Sequence, residues 1–292
     1  MNVPKARLVP PPKFQSALVA FIDILGFSNR LRSAATTADL LPIVSGVRQV
    51  QNAFDYRSRD EAIKKVNKMY RKQVHAFSDC VVIALPLKSP MTDHEGTFDP
   101  LMEELTFFAL SQGSCVRNGL FLRGGIDIGH WFAQKNVLVS PALANAYALE
   151  KEANVPVFTI CEKAFDFFRE HKDKGFYAHD PVSSLFKSYS KTKSKTTRQF
   201  LDYLPVSIQS LHWHRNKAQI EEYRTSEPER RDKIANQGYT DNCVDWLNEH
   251  KAAILAARSA TTESSVREKY DWLIEYHNDF CESANVFRAC LI

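Results

Sequence analysis

The sequence lacks the paired and clustered cysteines that build a zinc site or a disulfide framework. Its six cysteines, Cys80, Cys115, Cys161, Cys243, Cys281 and Cys290, stand apart, with no CxxC pair. They read as reduced core thiols of a cytoplasmic protein. No apolar run approaches the ~18 residues of a membrane span. The start, MNVPKARLVPPPKF, is basic and proline-rich without the apolar stretch of a secretory leader. Cytoplasmic location with no membrane contact is therefore expected. A large excess of either charge is also lacking: the net +4 falls short of the concentrated basic excess of a dedicated nucleic-acid binder, so no nucleic-acid partner is expected. No repeat of fixed period is visible. Against these absences stand 44% hydrophobic and 25% charged residues in a chain of 292, enough for a soluble core of roughly 180 residues with an appendage.

Residues 1–16 read as an extended arm carrying a proline cluster at 9–12. Ala17 to Ile22 form an apolar run that ends at Asp23, Ile24, Leu25 and Gly26, a buried strand entering a tight turn. Apolar positions from about Ala38 to Lys68 recur at helical spacing. Two strand-like runs, Val74–Phe77 and Cys80–Leu85, are separated only by Ser78 and Asp79, a hairpin with Asp79 at its tip. Residues 90–100 read as a loop and 101–116 as a helix. A strand over 120–128 contains Gly124 and Gly125, where a side chain would obstruct close backbone or ligand approach. A short strand near 137–139, a helix opened by Pro141 and a strand over 155–160 complete the series.

Strands alternating with helices predict an α/β sandwich, and the hairpins make its sheet mixed. The core domain is placed at 17–180. Residues 181–292 are expected to add a final edge strand at 200–204 and a helical extension, after a polar basic loop at 187–198. Trp246, Leu247, Ile254 and Leu255 are spaced for the core of that extension.

The chemistry centres on Asp23 and Asp79. Each stands where a strand ends or turns, so adjacent strands can present both carboxylates to one point. Hard cations such as magnesium or manganese favour that oxygen set, although aspartates at strand ends also serve as turn caps.

The surrounding segments carry a resemblance. FIDILGF (21–27), FSDCVVIA (77–84), RGGIDIG (123–129) and SPALANAYALE (140–150) occur in the order found in class III nucleotidyl cyclases. The resemblance covers roughly residues 17–165. It implies that Asp23 and Asp79 bind two divalent metals, Mn2+ or Mg2+, with the backbone carbonyl of Ile24. It further implies that Leu25, Gly26 and Phe27 receive the triphosphate on their amides and that Arg123 binds phosphate. It also implies a homodimer with sites shared across the interface.

Departures from the adenylate cyclase pattern refine this. Ala144 and Ala148 stand where that family carries a transition-state asparagine and arginine, with Asn145 and Tyr147 only nearby, and His75 replaces the adenine-recognising lysine. In FIDILGF, FSD, LRGGI and PALANAYALE the chain most resembles the pyrimidine cyclases of Pycsar anti-phage systems. That resemblance implies UTP or CTP as substrate, cyclic UMP or cyclic CMP as product, and an effector linked through that product. A smaller base calls for bulkier walls, and His75, Tyr56 and Tyr70 are the candidates. A divergent purine cyclase and a silent nucleotide-binding domain are the alternatives. The lysine-rich loop reads as solvated, and the HxH of His212 and His214 lacks a nearby third ligand.

Overall fold

The computed structural model describes residues 13–54, 61–134, 137–171, 179–190 and 197–292. The proline-rich arm up to residue 12 and Tyr56 lie outside them.

The chain enters on strand β1 (Gln15–Ile24), whose apolar run is buried on both faces. Helices α1 (Phe27–Ser33), α2 (Thr37–Phe54) and α3 (Glu61–Tyr70) follow. The hairpin β2 (Gln73–Phe77) and β3 (Cys80–Pro86) forms with a two-residue turn, Ser78-Asp79, as the sequence predicts. Residues 90–100, read as a loop, are instead α4 (Pro90–Glu95) and the first turn of α5 (Phe98–Arg117). A local capping box overrides the prolines: the Ser89 hydroxyl accepts from Thr92 N–H at 3.2 Å, and Thr92 Oγ1 accepts from Ser89 N–H at 2.8 Å. Pro90 takes the first helical position, where its missing N–H is harmless.

Strand β4 (Leu122–Gln134) runs longer than expected because β5 (Val137–Val139) folds back on its end. Then come α6 (Pro141–Ala153), β6 (Phe158–Ile160), α7 (Glu162–His171) and α8 (Pro181–Leu185). The basic loop at 187–198 is shorter than the sequence suggests. Its flanks are strands β7 (Phe186–Ser190) and β8 (Thr197–Leu201), and its middle, 191–196, lies outside the described residues. The predicted edge strand at 200–204 is likewise shifted to β8, which lies one place in from the edge strand β7. Helices α9 (Tyr203–Gln209), α10 (Lys217–Thr225), α11 (Pro228–Ala260) and α12 (Ser264–Glu282) and a 3-10 turn (Asn285–Cys290) finish the chain. Trp246, Leu247 and Ile254 are buried there, while Leu255 is exposed.

The result is a mixed α/β fold around an eight-stranded sheet of order β2-β3-β1-β4-β6-β8-β7, with β5 paired to β4. All pairings are antiparallel except β4 with β6. Alternation along the strands separates two faces. Leu18, Ala20, Ile22 and Ile24 join the large core with α2, α5, α7, α9, α11 and α12. Ala17, Val19, Val82, Ala84 and Trp131 form a smaller cluster with Ala142 of α6.

The glycines of β4 explain how closely α6 lies. A Cβ on Gly125 would stand 1.9 Å from the Ala146 carbonyl oxygen and 2.9 Å from Leu149 Cβ. The expected close approach is thus that of a helix. Gly125→Ala must push α6 off the sheet and is expected to destabilise the fold by about 1–3 kcal/mol or more. At Gly129 the new Cβ would come no nearer than 3.2 Å, to Ala142 Cβ, so Gly129→Ala should cost less. Urea unfolding of the two variants checks the order.

No helix among the described residues is long and apolar enough to cross a membrane.

Candidate active site

Three strand ends meet where β1 stops. The register sets Asp23 opposite Cys80 of β3 on one side and opposite Arg123 of β4 on the other. Directly opposed residues share a face, so carboxyl, thiol and guanidinium project together toward the α6 side. Asp79 joins them from the β2–β3 turn, which closes because Ser78 adopts a φ of 55°. Carboxylate oxygens of Asp23 and Asp79 and the Cys80 Sγ all lie within 4.8 Å of one another. The thiol sits 3.7 Å from Oδ1 of each aspartate.

The electrostatics are those of crowded acids around one guanidinium. Asp23 Oδ2 accepts from Arg123 Nε at 3.0 Å and Nη2 at 2.8 Å. The same Nε lies 2.5 Å from Oε1 of Glu150, on α6. Its N–H points at Asp23, however, and the buried Glu150 Oε1 receives no hydrogen bond among the described residues. Burial raises the Asp23 pKa, Arg123 opposes that rise, and the nearby Asp79 adds to it. Glu150 is raised by burial as well, against the pull of Arg123. Three acids outnumber the Arg123 guanidinium and the Lys269 ammonium that also acts on Glu150, which favours added positive charge.

The donors fit hard divalent cations. Burial, Asp79 and Asp23 push the Cys80 thiol up to about 12 in the metal-free site. The two carboxylates beside it are hard oxygen donors of the kind that suit magnesium or manganese.

The turn after Asp23 fits its expected role only in part. Ile24 and Leu25 are buried, and Leu25 N–H donates to Phe121 O at 2.8 Å, so that amide is engaged by the sheet rather than open to a phosphate. Gly26 takes a φ of 77°, the left-handed conformation that favours glycine, and starts α1 at Phe27, itself packed on the core.

His75 shares the site's face. It pairs with Val82, which pairs with Phe21, which pairs with Gly125, one row behind Asp23. Its ring centroid is 5.8 Å from that of Trp131, and its buried Nε2 has no hydrogen-bond partner among the described residues. Phe21 meets the ring of Tyr147 edge-on at 5.1 Å. Phe77, in the Asp23 row, is 54% exposed, so an aromatic floor adjoins the carboxylates.

Tyr70 is not brought to this site. Its hydroxyl donates to Glu103 of α5, and its ring packs on the core beneath the other face of the sheet. Asn145 donates to Asp127 Oδ2 at 2.9 Å. His212 and His214 stack on each other, and among the described residues they join no group with metal-ligand geometry.

Cys80 and Glu150 escaped the sequence reading. Cys80 adjoins Asp79 in the FSDC motif, but only strand register shows that it faces Asp23. Glu150 ends the PALANAYALE segment, and nothing in its spacing announces Arg123 as partner. A cavity of about 1350 Å³ borders α5, α8 and α9 and includes none of Asp23, Asp79, Cys80, Arg123 and Glu150.

No protein-family model matches the sequence, and no curated protein does. Solved structures that resemble the chain include the adenylyl cyclase CyaB from P. aeruginosa, 13% identical over 65% of this chain and 94% of that one, with a TM-score of 0.38. Another is the guanylyl cyclase domain of the RhoGC fusion protein from Blastocladiella emersonii, 15% identical over 65% and 96%, TM-score 0.41. A third is the guanylate cyclase domain of RhGC from Catenaria anguillulae in complex with GTP, 15% identical over 65% and 97%, TM-score 0.39.

Proposed function

We propose that the chain is a nucleotide cyclase that converts UTP, with CTP as the alternative substrate, to the 3′,5′-cyclic monophosphate and pyrophosphate. The observation that carries this reading is the convergence of Asp23 and Asp79, from separate strand ends, beside Arg123. Their carboxylates, with the Ile24 carbonyl, would hold two divalent cations, manganese or magnesium. When bound, these would supply charge neutralisation and activation of the ribose 3′-hydroxyl.

The chain's own groups do the rest. Arg123 stands next to the carboxylates, where it can take up charge on the departing pyrophosphate. Glu150 contacts Arg123 from α6 and keeps it oriented when phosphate competes with Asp23. Gly26 and Phe27 form the turn that adjoins the phosphates. His75, with an unpartnered nitrogen, can hydrogen-bond a base. Trp131 against it, and Phe21 two strands away in the same row, fill volume that a purine would need, which favours a pyrimidine.

A homodimer fits the same picture. Phe77 and Tyr147 are exposed near the carboxylates, and a second copy would cover this apolar area. The cyclic product would act as a messenger to an effector in anti-phage defence.

The test is incubation of the purified chain with manganese and each of the four nucleoside triphosphates in turn, with products resolved by mass spectrometry. Cyclic UMP is expected as the main product. Cyclic purines alone would overturn the pyrimidine assignment, and no cyclic product from any of the four would overturn the enzyme.

A further inference from the structure

We infer that Lys269, on helix α12 of the C-terminal extension, is a phosphate-binding residue of the same site, supplied by the chain that carries Asp23. The inference rests on the cyclase reading and adds a contribution from outside the α/β core.

Two contacts dock α12 on the turn that follows Asp23. Asn29 of α1 donates to Glu263 Oε2, at the helix start, at 3.0 Å. The ring of Tyr270 meets Phe121 edge-on at 5.0 Å, and Phe121 O is the acceptor that holds Leu25 N–H. Lys269 lies between these anchors in sequence. Its side chain is half-buried rather than extended into solvent.

Its ammonium lies among the charges of the site. Glu150, Glu263 and Asp23 attract it and Arg123 repels it. Burial first, and Arg123 second, lower its pKa from the ordinary lysine value. Yet among the described residues no ion pair within 4 Å involves Lys269.

The carboxylate nearest in function argues the same way. Glu150 is 1% exposed, and its Oε1 is already paired with Arg123 Nε at 2.5 Å, so it does not require Lys269 as its partner. Lys269 stands near the acids without closing on any of them among the described residues, a cation free to meet an anion that arrives from solvent. A compact ammonium on a flexible stem suits the oxygens of a polyphosphate. With Arg123 it gives the site a second positive group, and the position of α12 becomes coupled to substrate binding.

Isothermal titration of the full chain with manganese tripolyphosphate tests this without turnover. Lys269→Gln is expected to weaken binding roughly ten- to hundredfold, and Lys269→Arg to recover most of it. Binding of manganese alone, followed by electron paramagnetic resonance, should be unchanged in Lys269→Gln. If that variant fails to fold by circular dichroism, Lys269→Met, which keeps the aliphatic stem, takes its place. Undiminished tripolyphosphate affinity would overturn the assignment while leaving the cyclase reading intact. An equal loss of manganese binding would mark a structural role and overturn it also. A wild-type chain that binds no manganese tripolyphosphate and cyclises no nucleotide would overturn both.

Discussion

Asp79→Ala is expected to reduce cyclisation by about a thousandfold or more, equivalent to some 4 kcal/mol of lost transition-state stabilisation, without loss of the fold. The two parts of this expectation have one cause. Asp79 sits in a two-residue turn, outside the core, and its charge raises the pKa of the buried Asp23. With no cation present the two carboxylates repel, so removal of one relieves the native state. Thermal unfolding in metal-free buffer should therefore show the variant as stable as the parent or more so. Manganese should raise the parent's midpoint, because a ligand that binds only the folded chain stabilises it, and should leave the variant's unmoved. A variant that keeps both its activity and its manganese-dependent shift would end the two-cation assignment.

The second large effect belongs to the extension. Tyr203 OH lies 2.8 Å from His250 Nε2, His250 Nδ1 lies 2.9 Å from His277 Nδ1, and His277 Nε2 lies 2.9 Å from the Cys290 carbonyl oxygen. A carbonyl only accepts, so His277 Nε2 carries the proton and its Nδ1 accepts from His250 Nδ1–H. His250 Nε2 is then the acceptor of the tyrosine hydroxyl. Both rings are neutral, and each ring nitrogen of the pair has a partner.

Truncation by His250→Ala orphans Tyr203 and His277 in a closed core and is expected to cost about 3–5 kcal/mol, measured by urea unfolding. Acid should have a related effect. Burial, the largest cause for each, and the neighbouring His277 hold His250 well below the usual imidazole value of 6.5. For His277, burial outweighs the opposing hydrogen bond to Cys290 O, and Lys251 adds to the lowering. Asp202 and Tyr276 complete the surroundings, with Tyr276 OH donating to Asp202. Because the folded values lie below the unfolded ones, the stability these groups contribute is full above pH 6.5 and falls as pH drops below it. Each histidine adds up to about 1.4 kcal/mol per pH unit to that slope. His250→Gln, which can still donate and accept but does not titrate, should remove one histidine's share. A slope identical to that of the parent would contradict the neutral-pair assignment.

Much of the site's placement was legible because it follows from local pattern. The apolar run before Asp23 reads as a buried strand, and the two residues between Phe77 and Cys80 admit only a tight turn, so Asp79 at a hairpin tip needed no tertiary information. The loop assigned to 90–100 failed for a reason also visible locally: Ser89, Pro90 and Thr92 form a capping box, which outweighs proline as a breaker. Tyr70 failed differently. Its neighbourhood in the chain gives no hint of sheet face, and only packing shows that it answers Glu103 beneath the other side.

What the amino-acid order alone settled is the alternation that builds the strands and the turns that end them at Asp23 to Gly26 and at Asp79. These depend on near neighbours and on backbone conformation, which the chain carries everywhere with it. Only the tertiary structure decided the rest. Register set Cys80 and Arg123 on either side of Asp23. Helix packing at Gly125 brought Glu150 to Arg123, and the docking of α12 placed Lys269 among the same charges. Those partners stand 57, 100, 127 and 246 positions from Asp23 in the chain. Contacts of that span are chosen by which surfaces bury together, and no local pattern encodes the choice.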